Sequence, residues 1–103
     1  MSEWVDVGAA DGVRQDEPVG VRVGERYLGL YRLDGEIRAL DDLCTHEFAL
    51  MTNGFVDGNV VECPLHQACF DLRSGKCLSG PATTDLRVYP VRVENGRVLV
   101  KLD

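Results

Sequence analysis

The chain has 103 residues, 45% hydrophobic and 27% charged, the balance of one soluble domain with an ordinary core and no room for a second catalytic domain. Eleven Lys and Arg against seventeen Asp and Glu leave a net charge of −6, which argues against nucleic acid and suits docking to a protein with a basic patch. The start, Met1-Ser2-Glu3-Trp4, is neither basic nor apolar, and no apolar run reaches the roughly 18 residues of a membrane span, so a cytoplasmic chain without a membrane partner is expected.

Short runs of Val, Leu, Tyr and Arg alternate with Gly, Asp and Asn, and no segment keeps a helical period; the pattern predicts an all-β, antiparallel protein. Trp4 to Val7 reads as the first strand, Ala9 to Asp16 as a loop and Pro18 to Val23 as the second strand. Gly24-Glu25 turns the chain into Arg26 to Leu33, where Tyr27 and Tyr31 read as core or cross-strand residues. Asp34-Gly35 is a hairpin signal leading into Glu36 to Leu40. Asp41-Asp42-Leu43 then opens a turn-rich stretch, in which Asn53-Gly54 and Asp57-Gly58-Asn59 bracket Phe55-Val56 and Val60 to Glu62 forms a short strand.

Ala68 to Leu72 and Lys76 to Leu78 read as a small hairpin with Phe70 in the core. A two-residue turn at Ser74-Gly75 sets Arg73 opposite Lys76 and Leu72 opposite Cys77. Leu86 to Glu94, Asn95-Gly96 and Arg97 to Leu102 predict a closing hairpin, with Val91, Val93, Val98 and Val100 on one face. The division expected is one domain over 1–103, with a base of residues 1–40 and 83–103 and an inserted subdomain of residues 41–82.

The chemistry concentrates in Cys44 to His66, which holds both histidines of the chain and two of its four cysteines. Cys44-x-His46 is followed, after sixteen residues, by Cys63-x-x-His66, an arrangement in which two loops each offer a thiolate and an imidazole. A mononuclear zinc site usually takes a first pair separated by two to four residues, whereas only Thr45 lies between Cys44 and His46. Such close neighbours reach different points in space and suit two irons better than one. A 2Fe-2S centre with cysteines on one iron and histidines on the other meets that demand; a structural zinc module is the competing reading.

These loops, with the run C-P-L-H-Q-A-C-F-D-L-R-S-G-K-C-L-S-G-P-A over residues 63–82, resemble the Rieske family, and in particular the small ferredoxins of bacterial aromatic-ring dioxygenase systems. The resemblance implies a β-sandwich or barrel base with an inserted cluster-binding subdomain, and one 2Fe-2S cluster held by Cys44, His46, Cys63 and His66. It implies a one-electron carrier rather than an enzyme, accepting electrons from a flavin-dependent NADH reductase and passing them to a terminal oxygenase through transient complexes, as a monomer. An accessory small subunit of a nitrite reductase-like enzyme is the alternative. Gly80-Pro81-Ala82 resembles the proline loop that covers the cluster in this family, while Glu47 and Phe48 depart from it where a glycine often follows the first histidine.

Higher-potential relatives resemble C-T-H-x-x-C paired with C-x-C-H-x-S-x-Y, with a disulfide between the loops and hydroxyls bonded to cluster sulfurs. Ala49, Leu65, Ala68 and Phe70 stand at those positions here, which implies a potential near the bottom of the family's range, around −150 mV. The remaining cysteines, Cys69 and Cys77, read as thiols rather than a disulfide.

Overall fold

The computed structural model describes residues 3–44, 49–65, 68–80 and 84–102. Eleven strands are assigned among them: β1 (Trp4–Ala9), β2 (Val19–Val23), β3 (Arg26–Leu33), β4 (Glu36–Asp41), β5 (Phe55–Asp57), β6 (Val60–Glu62), β7 (Cys69–Asp71), β8 (Cys77–Ser79), β9 (Val88–Tyr89), β10 (Val91–Glu94) and β11 (Arg97–Lys101). They form three antiparallel sheets, in the orders β1-β11-β10, β2-β3-β4-β9 and β5-β6-β7-β8. The all-β expectation holds. At Asp34-Gly35 and Asn95-Gly96 both central residues have positive φ, of 53° and 81° and of 52° and 75°, as a tight hairpin between twisted strands requires.

The second sheet divides two cores because the side chains of β3 alternate. Leu28 and Leu30 face Val98, Val100, Ala39 and Tyr89, the core shared with the first sheet. Tyr31 and Leu33 join the other core, with Cys44, Met51, Cys63, Ala68, Phe70 and Leu72. A strand covered on both faces loses the plain alternation of apolar and polar residues, and β3 is buried or half-buried throughout. The base therefore supplies one wall of the compartment that holds both candidate thiol ligands.

Three local expectations are corrected. The first strand runs to Ala9 rather than stopping at Val7, because Gly8, with φ of 137°, absorbs a register shift against β11. The expected run from Leu86 to Glu94 is broken: β9 pairs with β4, whereas β10 pairs with β11, and Pro90 stands at the change of sheet, where its missing N–H costs no ladder bond. Ser74-Gly75 is not a two-residue hairpin. Cys77 faces Phe70, not Leu72, because the Asp71 N–H bonds the Lys76 carbonyl and Leu72 turns into the core, its N–H on the Asn59 carbonyl.

Candidate metal centre

Each cysteine of the paired motif opens a loop closed in the same way. The Cys44 N–H donates to the carbonyl of Ala49 at 2.8 Å, and the Cys63 N–H donates to the carbonyl of Ala68 at 2.7 Å. Both bonds span five residues and end on alanine. Cys44 is 7% exposed and Cys63 0%, and the two belong to the same buried cluster. His46 and His66 lie outside the described residues, as do Glu47, Phe48, Pro81 and Ala82.

The supports around the loops are specific. Leading into the first, Asp42 bonds Thr52, and Leu43 bridges Leu50. The second extends the ladder in which Val61 faces Phe70 and Glu62 faces Cys69. Two glycines fit where a side chain would not: a Cβ on Gly54 would lie 1.9 Å from the Glu62 carbonyl oxygen, and one on Gly80 would lie 2.5 Å from Ala68 Cα. Gly80, at the head of the expected proline loop, thus presses its backbone against the second cysteine loop.

Asp42, Thr52 and Gly54 are supporting residues that the reading of metal-ligand spacing passes over. No short motif marks them, since the Asp42–Thr52 contact joins positions ten residues apart. Burial holds the Asp42 carboxyl above its ordinary pKa, offset by the hydrogen bonds from Thr52 and Met51. The Tyr31 phenol is raised chiefly by burial and further by the charge of Asp42, and its buried hydroxyl has no hydrogen-bond partner among the described residues.

The other two cysteines are placed differently. Cys69 lies opposite Glu62 and Ser79, with its Sγ 3.8 Å from Glu62 Oε1, whereas Cys77 lies opposite Phe70 and packs on the buried cluster. They point to opposite faces of the third sheet, and all four cysteines carry thiols rather than disulfides. The described residues by themselves contain no group of three or more His, Cys, Asp or Glu side chains that could hold a metal ion. Two buried thiols on matched loops are nonetheless the donors a 2Fe-2S centre of the mixed cysteine–histidine type takes on one of its irons, so the residues present fit such a group.

Residues 3–90 match the model of the Rieske [2Fe-2S] domain, and the chain belongs to that family. It accordingly carries one Rieske-type 2Fe-2S cluster. The ferredoxin component of the naphthalene 1,2-dioxygenase/salicylate 5-hydroxylase systems of Ralstonia sp is 45% identical over 100 residues, covering 97% of this chain and 96% of that one. The ferredoxin of Sphingomonas yanoikuyae B1 superposes with a TM-score of 0.93 at 33% identity, over 98% of this chain and all of that one. The ferredoxin found with reduced oxygenase in the carbazole 1,9a-dioxygenase complex gives a TM-score of 0.88 at 37% identity, over 95% of this chain and 92% of that chain. The protein is an electron-transfer component of the type found in aromatic dioxygenase systems and not itself the enzyme. Among the described residues no helix is long and apolar enough to cross a membrane.

Proposed function

We propose that Cys44 and Cys63 hold one iron of the cluster and His46 and His66 the other, and that the protein carries single electrons from a flavin-dependent NADH reductase to the terminal oxygenase of an aromatic-ring-hydroxylating system. The observation that carries the ligand assignment is the pair of buried thiols on loops of equal closure. The cluster supplies one-electron redox chemistry. The chain supplies its insulation: Met51, Ala68, Phe70 and Leu72 line the same buried core and exclude water from the thiolate side.

The partner assignment draws on charge and surface as well as kinship. Leu65, one residue before His66, is exposed, and so are Phe55 on β5 and Leu78 on β8, which gives the third sheet apolar contact points. With a net charge of −6 the molecule suits a partner with a basic rim, and a few apolar points match the small, short-lived interfaces of redox encounters. Such a carrier acts as a cytoplasmic monomer. The 45% identity to a named ferredoxin component favours this role over that of a permanently bound nitrite reductase-like subunit.

Purified reductase, this protein and oxygenase, mixed with NADH and an aromatic substrate, test the relay. Product formation is expected to require the cluster-loaded protein and to stop with apo-protein. Undiminished turnover with apo-protein would sink the proposal.

A further inference from the structure

The cysteines and histidines leave unused a polar pair beside them, a buried aspartate and a half-buried threonine. Asp42 is 1% exposed, and both of its carboxylate oxygens are engaged by one residue: Oδ1 accepts the Thr52 N–H at 2.7 Å and Oδ2 accepts the Thr52 hydroxyl at 2.7 Å. The Asp42 carbonyl also accepts the Met51 N–H, at 2.6 Å. Asp42 is the last residue but one before Cys44, and Thr52 sits in the short 3-10 helix Met51–Asn53 just after the loop returns. The contacts therefore join the two arms of the first cysteine loop at its base.

The second sheet is shaped to receive this pair. Gly20 and Gly29 face each other across β2 and β3. A Cβ on Gly20 would lie 3.0 Å from Thr52 Oγ1 and 3.1 Å from Asp42 Oδ2, and one on Gly29 would lie 3.0 Å from Thr52 Cγ2. Glycine inside a strand costs about 0.5–1 kcal/mol relative to alanine. Two of them side by side are accounted for by a seat that must be flat. The Tyr31 ring lies over Gly29 on the same face of the sheet, with its hydroxyl also 3.0 Å from the position of a Cβ there.

We propose that Asp42 and Thr52 are positioning residues, a two-bond clamp that holds the two arms flanking the first cysteine loop together against the Gly20–Gly29 platform and so sets how long the protein retains its cluster. The inference rests on Cys44 being a ligand. Strands β2 and β3 are held together by their own backbone ladder, which the clamp does not touch. Loosening the clamp should therefore release the loop while leaving the base folded. A buried polar pair of purely structural value would instead weaken the base and the loop together.

The test compares cluster-loaded wild type, Thr52→Val and Thr52→Ser. Valine keeps the side-chain shape and the Thr52 N–H bond but removes the hydroxyl; serine keeps the hydroxyl. Bleaching of the cluster's visible absorption in excess chelator gives the rate of cluster loss. The single tryptophan, Trp4 on β1, reports unfolding of the base. Thr52→Val is expected to lose its cluster about tenfold faster, the scale of one hydrogen bond to a buried charge, with the Trp4 unfolding midpoint unchanged, and Thr52→Ser should return the rate to near that of wild type. An unchanged rate, a fall in the Trp4 midpoint matching the faster loss, or failure of serine to rescue overturns the clamp. Cys44→Ser is run in parallel: retention of the cluster there overturns the ligand assignment, an outcome separate from the threonine comparison.

Discussion

The two cysteine loops reach the same closure from opposite directions. The second is the tip of a continuous ladder, in which Val61 faces Phe70, Glu62 faces Cys69 and the Cys63 N–H meets the Ala68 carbonyl. The first has no such neighbour. Its leading arm leaves β4 and its returning arm enters a 3-10 helix; the Leu43–Leu50 bridge and the Met51 N–H on the Asp42 carbonyl join them, and the Asp42 side chain adds two bonds to Thr52 at the base. The second loop is held by the backbone bonds of a hairpin ladder; the first, where the chain passes from one sheet to another, adds a buried carboxylate to a shorter set of backbone bonds. The first loop is thus more open to damage through side chains than the second.

The largest effect expected is loss of the cluster itself. Cys44→Ser and Cys63→Ser should each yield protein lacking most of its iron and acid-labile sulfide, because both thiolates are proposed ligands. If the loops were unequal partners, one variant would keep its cluster, and iron and sulfide analysis of both decides this.

Next comes the contact between the loops' supports. Gly54, which follows the first loop's helix, packs on the Glu62 carbonyl and on Pro64 of the second loop. Gly54→Ala places a methyl group 1.9 Å from that oxygen and should lower stability by about 1–3 kcal/mol or more. Gly12→Ala, where a Cβ meets nothing within 4 Å, is the control. Thermal melts followed by circular dichroism should show a lower midpoint for Gly54→Ala alone; equal midpoints would mean that the two supports are not rigidly coupled.

The smallest effect is expected at the spare thiols. Cys69→Ser and Cys77→Ser should both retain the cluster, with Cys77→Ser the less stable because its sulfur packs on the buried core while that of Cys69 lies across from Glu62. Visible spectra and urea midpoints test this. Loss of the visible spectrum from either variant would bring a third thiol into the centre.

The contrast between the loops also explains what the sequence made legible. The proposed ligands Cys44, His46, Cys63 and His66 stand in two compact spacings that can be read directly from the sequence, and turns such as Asp34-Gly35 carry a local backbone demand that only a few residue types meet. Phe70, read as core, is buried, and so is Tyr31, read with Tyr27 as a core or cross-strand residue. Asp42, Thr52 and the paired glycines were not legible, because their meaning exists only once β2, β3 and the loop are brought together. The hairpin at Ser74-Gly75 failed for a related reason: Gly75 is docked against the backbone of Leu86, a contact absent from the local sequence.

The pairing of β1 with β11 has a consequence for how the chain is made. Trp4 lies across from Lys101, and Val98 and Val100 complete the core beneath Leu28 and Leu30, so the base cannot close until β11 has left the ribosome. The third sheet, in contrast, is a meander whose strands follow one another from Phe55 to Ser79, with every pairing between successive strands. Contacts between near neighbours form faster than those that span a whole chain. The sheet that carries the second cysteine loop is therefore complete in sequence before the last strand of the base is synthesised.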